Sequence, residues 1–393
     1  GTTVIIAGSV TDNYSNKEPS GVIRGYDVNT GKLLWAFDTG AQDPNALPGQ
    51  NTNFVNNSPN AWAPLAYDAK LDIVYIPTGV GTPDIWGGDR SALKERYANS
   101  MLALNASTGK LIWNFQTTHH DLWDMDVPSQ PSLVDLNVKG EKVPAIYVLT
   151  KTGNAFVLDR RNGKAIVPIT EKPVPQTVKR GPQTKGEHYS ATQPFSDLNL
   201  APKDNLTDKQ MWGATMFDQM MCRIKFKQAN YQGMFTAPSL SKPWIMYPGN
   251  NGGSDWGSYA YDANHGVIIA NWNNTPMYAQ LLKRADVVKD GVYSLDNPKF
   301  NPTLVSPKRP MDDTPYGVTI GPFYSPTQML CSEPPYGMIS AIDLHTKKIL
   351  WQHPLGSAER NGPFNIATHM PINIGTPNNG GPIITAGGVA FVA

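Results

Sequence analysis

Residues 22–35 read VIRGYDVNTGKLLW, residues 100–113 SMLALNASTGKLIW and residues 338–351 MISAIDLHTKKILW, with a looser copy, NAFVLDRRNGKAIV, at 154–167. In each copy an Asp or Asn (Asp27, Asn105, Asp343, Asp159) stands eight residues before Trp35, Trp113, Trp351 or Val167. An alternating strand that ends at Asp or Asn, turns through Thr-Gly or Asn-Gly and returns as a short strand is a β-hairpin. The terminal Trp is placed to pack between neighbouring sheets, where its N–H needs an acceptor.

A second unit alternates with the first. Residues 62–68 (WAPLAYD) precede the apolar run DIVYIP at 72–77, and residues 256–262 (WGSYAYD) precede GVIIA at 266–270. Two such units supply the four strands of a blade, and unequal spacing between copies means long inserted loops. The chain therefore reads as all-β, and as a β-propeller rather than a sandwich of unrelated hairpins. It opens inside one apolar strand (TTVIIAGSV) and stops inside another (GGVAFVA), so residues 1–393 are expected to form one propeller-type unit, a fragment lacking the first and last blades. Residues 168–250, rich in Pro and Lys, are expected to be an inserted loop region, with a short helix within 207–226.

Composition narrows the function. The 393 residues include 35 Gly and 34 Pro, a turn-rich content that excludes a helical bundle. Thirty-three basic residues against 32 acidic ones leave +1, which offers no bulk field for nucleic acid or an anionic membrane. No apolar run approaches the ~18 residues of a membrane-spanning helix. Cys222 and Cys331 are too few for a disulfide scaffold; they are expected to be two separate buried thiols, with pairing in an oxidising compartment as the alternative.

The densest chemical cluster is TTHHDLWDMD at 117–126, which follows the Trp113 hairpin and puts two imidazoles and three carboxylates on one loop. Zinc is one reading, but the chain has no helical HExxH and no Cys partners to complete such a site. A loop whose Asp and His side chains cap backbone amides is the other. Asp124 and Asp126 share a loop, so the facing carboxylates of a glycosidase are not in evidence.

THHDLWDMD, together with the hairpin repeats, GVGTPDIWGG (79–88) and VLTKTGNAFVLDRRNGK (148–164), resembles the pyrroloquinoline quinone (PQQ) dehydrogenases, nearest to the membrane-bound quinoprotein glucose dehydrogenase group with its quinate and polyol members. The likeness is dense over 1–165, recurs at 208–223, and returns at 316–343 and 375–393. It implies an eight-bladed propeller on the periplasmic side of the bacterial inner membrane. The implied cofactors are PQQ and Ca²⁺ or Mg²⁺, with ubiquinone as electron acceptor and a membrane anchor that this chain does not contain. The implied reaction is oxidation of a sugar or cyclic polyol hydroxyl, glucose to gluconolactone first, with quinate or shikimate as the alternative substrate. A non-catalytic propeller that scaffolds outer-membrane protein assembly shares the hairpins but has no use for the acidic loop.

Carried over residue by residue, Asp124 matches the catalytic base and a metal ligand. Lys151 matches the cation on the quinone oxygens, and Trp62 the indole beside the PQQ plane. Asp12 and Asn13 match a pair near cofactor and metal; a plain β-turn start is their other reading. Asn60 sits near the family's metal-binding Asn, although there the Asn directly precedes the Trp and here Ala61 intervenes. Trp256, in GNNGGSDWG (249–257), is placed to line the PQQ site, and His119, His120 and Asp121 to orient Asp124 or substrate. Asp255 stands where alcohol dehydrogenases carry Asn.

Overall fold

The computed structural model describes residues 1–49, 52–175 and 187–392. Five antiparallel sheets carry the fold. The first is Thr3–Ile6, Ile23–Asp27 and Leu33–Phe37; the second is Ala66–Asp68, Ile73–Pro77, Ser100–Asn105 and Leu111–Gln116. Ser132–Val138, Glu141–Leu149 and Ala155–Asp159 make the third. The fourth orders Trp244–Met246, Met277–Lys283, Tyr316–Pro322 and Lys308–Arg309, and the fifth orders Tyr259–Asp262, Val267–Asn273, Gly337–Asp343 and Lys348–Pro354. The fourth sheet is largely an excursion between two strands of the fifth, which no repeat in the sequence announces.

The hairpins form for a local reason. Asp27 Oδ1 accepts from the amides of Asn29 and Thr30 and from the Thr30 hydroxyl, and Asn105 Oδ1 accepts from the Thr108 amide and hydroxyl. Such side-chain turns need a residue with φ > 0 to close them. Gly31, Gly109 and Gly163 supply it at φ 68°, 69° and 72°; in the TKK copy Lys347 takes that place at φ 58°. The copy at 154–167 gains no second strand: Ile166 and Val167 only lean on the Val157 carbonyl before Pro168.

Two of the three terminal tryptophans tie sheet to sheet, while Trp351 is 39% exposed instead of packed as expected. Trp35 in the first sheet donates its N–H to the Ala106 carbonyl beyond the second, at 3.0 Å, and Trp113 in the second donates to the Arg160 carbonyl beyond the third, at 3.0 Å. Apolar layers follow the same order. Ile23 and Phe37 pack with Val74 and Leu102; Tyr75 and Met101 pack with Ile146 and Phe156. Tyr147 and Leu149 of the third sheet then pack with Ile268 and Trp272 of the fifth. Face-to-face stacking of twisted sheets in chain order is blade-like packing.

The 168–250 stretch holds more regular structure than the sequence suggests. Ile169–Pro173 pairs with Thr192–Ser196, and Met216–Gln228 is a 13-residue helix whose N-cap Thr215 accepts from the Asp218 amide. That helix turns Cys222 inward, and it forms a disulfide with Cys331, 109 residues away. The expectation of separate thiols is corrected: both cysteines are fully buried on one apolar cluster with Ile245 and Phe323. No helix among the described residues is long and apolar enough to cross a membrane.

Candidate functional site

The acidic loop is built by alternation. Leu122, Trp123 and Met125 enter the apolar layer of the fourth sheet beside Trp244, Met277 and Val318, and the Trp123 N–H reaches the Thr236 carbonyl at 2.7 Å. Asp121, Asp124 and Asp126 are thereby left to the polar side. Asp121, fully buried, accepts from Asn99 Nδ2 and from the amides of Trp123 and Met125, so it folds the loop rather than facing a ligand.

Asp124, at φ 62°, is gripped at both oxygens. Lys151 Nζ lies 2.8 Å from Oδ1 and 3.0 Å from the Asp124 carbonyl, and Asn250 Nδ2 lies 2.7 Å from Oδ2. Lys151 is 5% exposed, and its ammonium sits 5.7 Å from the centre of the Trp62 ring. The Trp62 N–H donates to Asp126 Oδ2 at 2.8 Å, and Asp126 Oδ1 accepts from the Val80 amide. Gly79 makes room for this carboxylate, since a Cβ there would stand 2.3 Å from Asp126 Oδ2.

Carboxylates crowd this end of the structure. Oxygens of Asp12, Asp84 and Asp124 lie within 4.8 Å of one another. Asp12 keeps solvent access, yet desolvation by its crowded neighbours, then the charges of Asp124 and Asp126, push it up to about 7. Burial, then Asp12 and Asp124, hold Asp84 well above the carboxylate range, and burial also raises Asp126 and Asp255. Burial alone would lower Lys151, but Asp124, Asp126 and Asp255 outweigh it and keep the ammonium charged. Like charges in a low-dielectric site disfavour joint ionisation, and a divalent cation relieves that.

Asp124, Lys151, Trp62 and Asp12 thus converge. Asn13 joins them through Asp84, donating to its Oδ2 at 2.7 Å. Asn60 is buried nearby and donates its Nδ2 to the Val80 carbonyl at 2.9 Å. Trp256 is 60% exposed on a turn, while its neighbour Asp255 faces the Lys151 charge. His119 turns away to Gln116 and Glu171, and His120 bonds Glu95 and Glu187; neither reaches Asp124. Asp84, Asp126 and Asn250 are not among the candidates read from the sequence; Asp84 and Asp126 lie in stretches that carry the resemblance, whereas Asn250 lies outside them.

The family model described as "PQQ: Glucose/ethanol/alcohol dehydrogenase, beta-propeller domain" matches residues 1–393. The chain is 62% identical over 397 residues to quinoprotein glucose dehydrogenase A of Acinetobacter calcoaceticus, covering all of this chain and 48% of that protein. It is 51% identical over 397 residues to the quinoprotein glucose dehydrogenase of Escherichia coli (strain K12), again over 100% and 48%. The chain thus spans about half the length of these relatives. Among solved structures, a europium-containing methanol dehydrogenase superposes with a TM-score of 0.59 at 19% identity, over all of this chain and 56% of that one, a likeness of fold.

Proposed function

The chain belongs to the PQQ-dependent glucose/ethanol/alcohol dehydrogenase β-propeller family, and on that premise we propose that the protein it comes from oxidises a sugar hydroxyl, glucose first, and passes the electrons to ubiquinone. In this reading residues 1–393 are one part of an eight-bladed propeller of a membrane-associated protein on the periplasmic side of the inner membrane, with 168–250 inserted in it. The buried Cys222–Cys331 disulfide suits an oxidising compartment. The observation that carries the reading is the Asp124 carboxylate, held between Lys151 and Asn250 beside Asp12 and Asp84.

The donor set fits the implied groups. Three carboxylates without nitrogen or sulfur suit a hard cation, Ca²⁺ or Mg²⁺, and Asp12, Asp84 and Asp124 would hold it. Lys151 and Trp62 offer a charge and a flat apolar face to a planar, oxygen-rich cofactor, and Asn250 Oδ1 is buried with no partner of its own. Bound PQQ supplies the two-electron acceptor for the carbinol hydride. Asp124 takes the hydroxyl proton as that C–H bond breaks. Lys151 holds Asp124 in place through its Oδ1 and carbonyl oxygen and presents positive charge where oxygen charge develops. Apolar anchoring of Leu122, Trp123 and Met125 fixes the base, which reduces the reorganisation the reaction needs.

The test is reconstitution of the full-length protein with PQQ and Ca²⁺ or Mg²⁺, with dye-linked oxidation of glucose, quinate, shikimate, glycerol and sorbitol. The highest kcat/KM is expected on glucose. A preference for quinate or shikimate replaces the substrate, and no PQQ-dependent turnover on any of the five overturns the proposal.

A further inference from the structure

His120 of the acidic loop belongs to a second group of ligand-type side chains that the proposed reaction does not use. His120 Nε2 stands 2.9 Å from Glu187 Oε1, and the His188 ring stacks on the His120 ring at 3.6 Å between centres. One ligand atom from each of His120, Glu187 and His188 lies within 4.8 Å of the others. His120 and Glu187 are 6% and 4% exposed, whereas His188 opens to solvent.

Two further contacts orient these atoms. His120 Nδ1 faces Glu95 Oε1 at 3.1 Å, and Glu95 is itself paired with Arg90 Nη1 at 3.2 Å. A carboxylate on the far nitrogen of an imidazole is the usual companion of a metal-bound histidine, since it fixes the ring and raises its basicity. Glu187 is fixed as well: its Oε2 accepts from the Gly87 amide at 2.8 Å, and its Oε1 accepts from the His188 amide at 3.2 Å while facing His120. Both buried groups are therefore aimed by partners outside the trio, and at the same point.

We propose that His120, Glu187 and His188 form a second cation site, specific for a borderline transition metal of the Zn²⁺ type. Two imidazole nitrogens and one carboxylate are the donors of three-ligand zinc sites, with a fourth position left to water. Nitrogen donors disfavour Ca²⁺ and Mg²⁺, which take oxygen, so this site and the Asp12, Asp84 and Asp124 cluster differ in metal preference. Tetrahedral zinc needs ligand atoms about 3.3 Å apart, given bond lengths of about 2.0–2.1 Å. His120 Nε2 and Glu187 Oε1 are in hydrogen-bond contact at 2.9 Å, so a metal would displace the proton between them and part them by about 0.4 Å, with the exposed His188 ring turning in to complete the site. A metal here pins the stretch around Glu187 and His188 onto the loop that carries Asp124. The Glu187–Thr192 segment leads into the strand Thr192–Ser196, where Gln193 also grips that loop through the His119 amide and carbonyl.

The site is independent of the proposed reaction, so its test reads metal and not turnover. Full-length protein, loaded with Ca²⁺ and PQQ, is titrated with ZnCl₂ and, separately, CoCl₂, then desalted and assayed for metal content. One zinc per chain is expected to be retained, and Co²⁺ is expected to give the visible absorption of a tetrahedral site. His188→Ala should abolish retention, and Glu95→Gln should weaken affinity by about 10–100-fold, the usual worth of an outer partner. Asp12→Asn should leave zinc retention unchanged while Ca²⁺ affinity falls. His188→Gln, with a melting curve beside it, guards against a variant that fails to fold. Zinc retained equally by folded His188→Ala or His188→Gln protein, or no zinc retained by the parent, overturns the proposal and leaves His120 as an imidazolium bridging two carboxylates.

Discussion

Lys151 holds Asp124 twice, its ammonium 2.8 Å from Oδ1 and 3.0 Å from the carbonyl oxygen of the same residue. A backbone-and-side-chain grip from one buried cation fixes the position of the carboxylate and sets a positive charge beside it. It also makes the two residues separable by experiment, because only one of them is placed to move a proton.

Asp124→Asn keeps the size of the side chain and deletes its basicity. In the PQQ-saturated full-length protein, turnover should fall by about 10²–10⁴-fold, the usual worth of general-base catalysis, with PQQ affinity largely kept. Lys151→Ala should lower PQQ retention and turnover together, since it removes charge aimed at the acceptor oxygens. Steady-state kinetics with a PQQ titration decide the matter, and near-parental turnover in Asp124→Asn would remove Asp124 as the base.

Asn250 is the other hand on the base, and its amide reaches Oδ2 at 2.7 Å. A hydrogen bond to a charged group contributes about 1.5–3 kcal/mol, so Asn250→Ala should lower kcat by roughly 10–100-fold while KM changes little. A rise in KM at constant kcat would instead place Asn250 in substrate binding alone.

Gly31 and Gly109 close equivalent hairpins at φ 68° and 69°, yet their surroundings differ. A Cβ on Gly31 meets nothing within 4 Å, whereas one on Gly109 would sit 2.4 Å from the Trp35 ring. Gly31→Ala should therefore cost only the backbone term, about 1–2 kcal/mol. Gly109→Ala adds overpacking worth about 1–3 kcal/mol. Denaturant melts of the two variants should rank them in that order, and equal losses would mean that Trp35 does not seat on the next hairpin.

These glycines also show what was legible in advance. The TGK hairpins, the packing role of Trp35 and Trp113 and the helix near Cys222 follow from local chemistry, because each depends on residues a few positions apart. The contribution of the loop was legible for the same reason: LWDMD alternates anchors with carboxylates. Asp84 and Asn250 were not, since they join Asp124 across 40 and 126 positions, and only the folded chain measures that distance. His120 was read with the base four residues later, but its partners, Glu95 and Glu187, come from elsewhere in the chain.

Asp68 and Arg160 supply a pH dependence whose sign can be worked out. Arg160 Nε lies 2.6 Å from Asp68 Oδ2, while its Nη1 reaches Asp135 and the Val134 carbonyl, so one guanidinium joins the second sheet to the third. Burial alone would raise Asp68, but the Arg160 hydrogen bond, the Lys70 amide and the Arg160 charge bring it below the ordinary carboxylate range. A carboxyl whose folded pKa is depressed binds fewer protons folded than unfolded near that pKa, so its stabilisation is complete above about pH 4 and is lost as pH falls through the folded value. Asp68→Asn should then melt well below the parent at pH 7, and the gap should close as the pH drops below about 4. Other depressed carboxyls, Asp135 and Asp159 among them, titrate in both proteins and largely cancel in the difference. A melting gap that stays constant from pH 7 to pH 3 would assign the loss to packing at the sheet junction and not to the ion pair.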